Sequence, residues 1–402
     1  MNVLVVGSGA REHALAWRIA QDGAATEIHA APGNPGIATL GACHPVRADD
    51  GEGLLGLCWT LEIDLVVIGP EAPLVAGVAD DLRHAGLAVF GPSAKAARIE
   101  GSKTFAKDVL EAAGVPTARS LAVARPPCVV KADGLASGKG VFVCRTQDEL
   151  DAGLRAASAL GDRLVVEELL EGDEVSLFAL ADGQRVVPLA AAQDFKRIGD
   201  GDVGPNTGGM GAYSPVPWLD QVDDLVDRIH RPVIEELARR GSPFVGCLFA
   251  GLMITDDGPR VLEFNARFGD PETQVLMPRL EGDVLGALAA AAGGDVGRAA
   301  LATREDAAVT VVLAAPDYPE RSDYAGADIA GLDEAEAEGA IVFHGGTAVR
   351  DGRLVTNGGR ILSVTALGPS VPEARERAYG AVEKVTFEGA RFRRDIAAVA
   401  GA

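Results

Sequence analysis

The sequence predicts a multidomain chain of mixed α/β and α+β class, on three observations. Over roughly the first 100 residues, short apolar runs alternate with stretches of helical spacing, the signature of a parallel sheet covered by helices. Further on, strand-like runs follow one another directly or across Asp-Gly and Asn-Gly turns, the signature of antiparallel pairing. Finally, 402 residues exceed what one hydrophobic core holds, so roughly two to four domains are expected.

The elements follow in order. VLVVG (3–7) reads as a buried strand, REHALAWRIA as a helix and EIHAAPG as a second strand and turn. DLVVIGPEAPL (64–74) is a strand ending in a Gly-Pro loop, followed by helical ADDLRHAG and the strand LAVFGPS. Glycine-rich turns after such strands line one edge of the sheet, where ligands of open α/β folds sit. From Lys95 one helical run continues to Gly114, with Val115-Pro116 as its break. A short strand and linker over Ala118–Cys128, containing Pro126-Pro127, leads into VVKADGLASGKGV (129–141), a strand with a glycine-rich loop. A helix around DELDAGLRAASAL, the strand RLVVEELLEG and the pair EVSLFALADGQRVVPLAAA complete a compact unit expected to act as a lid. Residues 194–217, DFKRIGDGDVGPNTGGMGAYSPVP, read as a long loop, and loops of that length in compact domains are functional or disordered. A helix (220–240), the strands FVGCLFAGLMIT and RVLEFNARFG around the turn DDG, and a helix near 273–292 come next. The tail reads as a separate small domain, with strands AVTVVLAA, AIVFHGGTAVR and RLVTNGGRILSVTALG and a closing helix VPEARERAYGAVEKV.

Composition narrows the function classes. Apolar residues at 48% and charged residues at 24% are ordinary for a globular protein, and no apolar run is long enough to suggest a membrane helix. A net charge of −21, from 58 acids against 37 bases, argues against a nucleic-acid backbone or an anionic membrane as partner. The five cysteines lie far apart without CxxC spacing, as expected of reduced thiols in the cytoplasm. MNVLVVGSGAREH enters a strand directly without a basic leader, so no signal peptide is expected.

Several stretches carry candidate chemistry. GSGAREH (7–13) begins like a dinucleotide fingerprint, but Glu12 stands where a third glycine belongs; a tight turn, or a seat for one phosphate or sugar phosphate, both fit. In VVKADGLASGKGV, Lys131 ends a buried strand and can present a fixed charge to phosphate, while Lys139 lies on the loop itself. This loop returns to a strand, so it is not a Walker loop; it fits a flap over a triphosphate. In VVEELLEGDEVS, Glu167 or Glu168 is placed to flank an adenine, and Glu174 to accept from ribose hydroxyls. LEFNARFGDPETQ (262–274) is the sharpest: alternation puts Glu263, Asn265 and Arg267 on one face and Leu262, Phe264, Ala266 and Phe268 on the other. A carboxylate and an amide oxygen suit Mg²⁺, and Arg267 suits a transferring phosphoryl group. In PNTGGMGAYSP, the amides around Gly208, Gly209 and Gly211 are expected to form an anion-binding nest, unless the loop is purely structural.

Together VGSGAREHALAW, APGNPG, VIGPEAPLVAGV, FGPS, GSK (101–103), GVPTA, VVKADGLASGKGV, QDFKR, GPNTGGMGAYSPVP, GLMI, EFNARFGDPETQ, FHGGT and TNGGR resemble the ATP-grasp superfamily and, within it, the phosphoribosylamine–glycine ligase family. They run in family order over nearly the whole chain. The resemblance implies an N-terminal Rossmann-like domain (1–101), an ATP-grasp domain (102–300, mobile lid about 118–190) and a C-terminal domain (301–402). It implies ATP held between two antiparallel sheets, contacted by Lys103, Lys131, Gly134, Gly138, Lys139, Glu167, Leu169 and Glu174, with Mg²⁺ or Mn²⁺ on Glu263 and Asn265. Gly7, Gly9, Gly33, Gly36 and Glu71 would line the 5-phosphoribosylamine side, and Arg267, Asp194, Asn206, Gly208 and Gly209 would serve the reacting carboxylate and phosphates. The implied reaction joins glycine to 5-phosphoribosylamine through a glycyl phosphate, in a cytoplasmic enzyme that is a monomer or weak homodimer. QDFKR carries Phe195 where many relatives carry histidine, so no proton transfer is assigned there, and the 116–129 segment is short. Three other readings are a nicotinamide-dependent oxidoreductase, a nucleotide-binding regulatory module and another carboxylate–amine ligase.

Overall fold

Parallel strands do build the amino-terminal layer. In the computed structural model, which describes residues 1–135, 140–161 and 163–398, five of them run in the order Ala42–Cys43, Glu27–Pro32, Asn2–Gly7, Leu65–Ile68, Ala88–Phe90. Val3 through Val6 are completely buried, as a strand covered on both faces requires. The strand order reverses beside Asn2–Gly7, so the turns at Gly7 and Gly69 flank the crevice where such sheets take ligands.

The single helix expected from Lys95 to Gly114 is two, Ala94–Gly101 and Lys103–Ala112. Ser102 breaks it: its backbone is extended (φ −146°, ψ 114°) and its hydroxyl accepts from the Phe105 N–H at 3.3 Å. Asp133 holds the break open by accepting the Lys103 N–H at 2.6 Å. Lys103 therefore starts a helix against the glycine-rich loop instead of lying mid-helix.

The expected lid is smaller than the sequence suggested. Val141–Cys144, Cys128–Ala132 and Leu164–Glu168 form an antiparallel three-stranded sheet under helix Gln147–Ser158, with its own core around Val130, Cys144, Leu150 and Ala157. Asp173–Asp182 and Val186–Pro188 instead join Val245–Thr255 and Gly258–Asn265 in a four-stranded antiparallel sheet. The long strand Asp173–Asp182 pairs along its whole length with Val245–Ile254 and buries Leu177 through Ala181 on both faces, which binds it to that layer.

Residues 194–217 are not one open loop. Gln193–Asp194 and Gly211–Ser214 join Ala307–Ala314, Arg360–Gly368 and Ile341–His344 in a five-stranded sheet, while Arg197–Gly199 pairs with Val203–Asn206. The backbone donors of this glycine-rich stretch thus find ladder partners in the carboxy-terminal part of the chain. Likewise the helix expected near 273–292 is a short turn of helix, Thr273–Leu276, then Val284–Ala292 started by the Asp283 side chain.

Candidate active site

A cavity of about 340 Å³ opens between the three-stranded and four-stranded sheets and is closed by the Pro70–Glu71 turn and by Thr207 and Gly208. Its lining carries seven bases (Arg11, Lys103, Lys107, Lys131, Lys196, Arg267, Arg360) and seven acids (Glu71, Glu100, Glu167, Asp194, Glu263, Asp270, Glu272). The cavity is therefore balanced where the chain as a whole is strongly acidic, which lets it accept an anion against the global field.

A bulge sets the wall that carries Glu263. Gly251 pairs with Glu263 and Leu252 with Val261, which leaves Leu262 as an extra residue in its strand. The bulge interrupts the alternation read from the sequence: Val261, Phe264 and Ala266 pack in the core, and Leu262 and Phe264 both line the cavity. Glu263, Asn265 and Arg267 line it as expected. The Glu263 carboxylate accepts no hydrogen bond and closes no ion pair among the described residues. Beside it the Asn265 Oδ1 accepts only a 3.3 Å bond from Arg267 Nη2. Two hard oxygen donors with spare lone pairs fit a divalent cation such as Mg²⁺.

The bulge also turns the Leu262 carbonyl toward Lys131, whose Nζ donates to it at 2.9 Å. The same ammonium meets Glu167 Oε2 at 2.7 Å, and Lys107 meets Glu167 Oε1 at 2.7 Å. Glu167, almost wholly buried, is thus committed to two lysines, and its backbone is paired with Val129 on one side and bridged to Ser120 on the other. Lys103 lies nearby, its Nζ donating to the Gly134 carbonyl at 2.9 Å. Burial lowers the Lys103 ammonium below its usual range, and Glu263 works against that shift.

Arg267 is held by carboxylates on two other elements, Glu71 Oε2 at 3.3 Å and Glu100 Oε1 at 3.5 Å. Burial pushes the Glu71 carboxyl up, but Arg267 and Arg11 outweigh it and hold it at about 2. Burial raises Glu100, with Arg267 opposing; Glu100 also accepts the Ala266 N–H at 2.7 Å, tying helix Ala94–Gly101 to this wall. On the far side, Lys196 bridges Asp194 (2.8 Å) and Glu174 (2.6 Å). Glu272, closed from solvent, accepts from Ser176 Oγ at 3.1 Å and forms no ion pair among the described residues; burial, then Asp194, pushes its carboxyl up to about 7.

The glycine turns divide. Gly9 and Gly33 line a second cavity of about 540 Å³ together with Asn34, Thr347 and Asn357, whereas Gly7 and Gly36 serve packing. A Cβ on Gly7 would meet the Glu12 side chain at 2.5 Å, and one on Gly36 the His13 ring at 2.2 Å. Glu12 does not face a ligand: it is buried, accepting the Gly9 N–H at 2.7 Å and pairing with Arg11 at 2.6 Å.

The anion nest expected at Gly208, Gly209 and Gly211 is not available. The Gly208 N–H donates to the Tyr318 hydroxyl at 2.8 Å, the Gly209 N–H to Thr207 Oγ1 at 2.9 Å, and Gly211 lies in a ladder opposite Val311. The Gly208 and Gly209 amides are thus spent on holding the loop. Asn206 pairs with Arg197 and stays off the cavity wall, as do Gly209, Glu174 and Leu169; Gly138 and Lys139 lie outside the described residues.

Lys107, Lys196, Glu100, Glu272 and Arg360 line the cavity without having been singled out from the sequence. Lys107 was accessible to pattern reasoning, standing one helical turn beyond Lys103. Lys196, Glu272 and Arg360 stand within QDFKR, GDPETQ and TNGGR, motifs whose local pattern does not by itself mark these members. Nothing local marks Glu100.

Comparison with known proteins covers nearly the whole chain. Three parts of one family match in order: phosphoribosylglycinamide synthetase N domain over residues 1–100, ATP-grasp (A) domain over 101–273 and C domain over 308–399. The phosphoribosylamine–glycine ligase of Streptomyces coelicolor is 53% identical, over 100% of this chain and 99% of its own. That of Mesorhizobium japonicum is 49% identical, over 98% and 97%. The crystal structure of the Thermotoga maritima phosphoribosylamine–glycine ligase superposes with a TM-score of 0.85 at 34% identity, covering 98% of this chain and 100% of that one. The biotin carboxylase domain of Hydrogenobacter thermophilus 2-oxoglutarate carboxylase, solved with MgADP, shares the fold at 17% identity and a TM-score of 0.68, over 97% and 91%.

Proposed function

This chain belongs to the phosphoribosylglycinamide synthetase family, and from that premise we propose how its own residues divide the work. It is an ATP-dependent, ADP-forming ligase that joins glycine to 5-phosphoribosylamine, giving glycinamide ribonucleotide for purine biosynthesis. In the proposed course a glycine carboxylate oxygen attacks the γ-phosphorus of ATP and ADP leaves. The ribosylamine nitrogen then bonds to the carbonyl carbon of the glycyl phosphate, phosphate leaves, and the nitrogen gives up a proton. Such chemistry rests on positioning and charge neutralisation, and no covalent enzyme intermediate is called for.

ATP occupies the cavity between the two antiparallel sheets, with the turn at Gly134 covering its phosphates. Lys131 has two of its three N–H donors committed, to Glu167 and the Leu262 carbonyl, and offers the third to a phosphate oxygen. Lys103 offers a second charge from a helix N-terminus. Glu263 and Asn265 hold Mg²⁺, or Mn²⁺ in its place, which when bound neutralises phosphate charge. Arg267, kept ionised and aimed by Glu71 and Glu100, faces the charge that develops during transfer. Asp194 is fixed by Lys196 on the far side of the cavity, and phosphoribosylamine takes the second cavity, against Gly9 and Gly33. The observation that carries the reading is Glu263: a carboxylate without an ion-pair partner among the described residues, in one cavity with Lys103, Lys131 and Arg267.

We further propose a cytoplasmic enzyme, a monomer or weak homodimer, that binds neither nucleic acid nor membrane; the five free thiols fit a reducing compartment and the acidic charge disfavours anionic partners. Among the described residues no helix is long and apolar enough to cross a membrane. The test is phosphate release from ATP with glycine and phosphoribosylamine each omitted in turn. Release should need glycine, and product should need all three; release indifferent to glycine would overturn the reading.

A further inference from the structure

The two cavities meet at one ion pair. Asp270 and Arg360 are the residues common to both linings, and their side chains, 18% and 23% exposed, are open to each. Arg360 Nη2 stands 2.9 Å from Asp270 Oδ2, too close for water to pass between them. The pair is pinned from three parts of the chain. Arg360 Nη1 also donates to the Asp270 carbonyl at 3.0 Å and to the carbonyl of Gly208, whose own N–H is held by Tyr318. Asp270 Oδ1 accepts from Gln274 Nε2 at 2.8 Å. A planar guanidinium with several fixed donors makes a rigid partition where a lysine would make only a point contact.

Placing the activated glycine in the first cavity and the amine in the second rests on the function proposed above. On that reading the two reactants form on opposite sides of this pair, yet the new C–N bond must span it. We propose that the Arg360–Asp270 pair is the partition between the two half-sites: it shields the acyl phosphate from water entering through the empty amine side, and gives way when phosphoribosylamine fills that side. Both are positioning residues. Their loss lets water attack the acyl carbon, which releases glycine and phosphate and consumes ATP without product.

The test counts ADP formed per glycinamide ribonucleotide in wild type, Arg360→Lys and Asp270→Asn, with circular dichroism to check folding. Hydroxylamine is added in parallel, since it converts glycyl phosphate to glycine hydroxamate and phosphate. Wild type should form one ADP per product; each variant should raise that ratio about threefold or more, and trap more hydroxamate when phosphoribosylamine is absent. A ratio that stays at one in a folded variant, even at reduced rate, overturns the partition. Absence of hydroxamate from wild type and from both folded variants, given ATP and glycine, overturns the acyl-phosphate reading beneath it, and so tells the two failures apart. Asp270→Asn, nearly isosteric, keeps the question answerable should Arg360→Lys not fold.

Discussion

Lys131 Nζ stands 2.7 Å from Glu167 Oε2, and Lys107 closes on the other oxygen of the same carboxylate at 2.7 Å. One buried acid therefore holds two cations at the wall of the cavity proposed for ATP. Removing Glu167 leaves two buried ammonium groups facing each other, whereas removing Lys131 leaves the Glu167–Lys107 pair intact. Glu167→Ala should cost about 3–5 kcal/mol in urea denaturation, and Lys131→Ala clearly less. Lys131→Ala should weaken ATP binding about tenfold to a hundredfold by calorimetry, the worth of one charge-assisted bond; unchanged affinity would remove Lys131 from the site.

Glu263 behaves oppositely, because among the described residues it has no protein partner to lose. Glu263→Ala should leave stability within about 0.5 kcal/mol of wild type. Product formation should fall by about 10²–10³-fold, as for loss of a group that organises transition-state charge. Near-normal turnover by the folded variant would end the metal assignment.

The Glu272 carboxyl, pushed from 4.5 to about 7, predicts a stability profile with a definite sign. The folded state holds this proton more tightly than the unfolded chain does, so stability falls as pH rises from about 4.5 through about 7 and the penalty is complete above that. Glu272→Gln removes the titration. Relative to wild type it should gain stability progressively across that window, read as Tm against pH, and a flat difference would refute the buried, unpaired carboxyl. The Glu71 carboxyl, held at about 2, has the reverse sign: its contribution is present above 4.5 and is lost as pH falls toward 2.

Two glycines should respond in opposite directions. Gly36→Ala drives a methyl into the His13 ring, whose Cε1 lies 2.2 Å from the Cβ position, with the His344 ring at 2.8 Å behind it. It should destabilise by about 1–3 kcal/mol. Gly56 lies exposed inside helix Gly51–Thr60 with nothing within 4 Å of a Cβ, so Gly56→Ala should stabilise by about 0.5–1 kcal/mol. Chemical denaturation of both variants checks the pair.

What could be read without coordinates was whatever depends on neighbours along the chain. Period-two and helical apolar spacing showed the parallel layer and the paired strands, and EFNARFGDPETQ put Glu263, Asn265 and Arg267 within one short segment. The same local logic could not show the bulge at Leu262, because alternation assumes an unbroken pleat and a bulge is decided by the partner strand. It also merged two helices across Ser102, where a contact from Asp133 thirty residues later takes the Lys103 N–H. It read free amides at Gly208 and Gly209 that Tyr318 and Thr207 in fact occupy. Glu167 between two lysines, Arg267 between Glu71 and Glu100, and Arg360 against Asp270 join segments far apart in the chain. Periodicity is a property of the backbone and is written into every short window of sequence. Which buried charge meets which partner depends on where distant segments come to rest, and only the packed tertiary structure decides that.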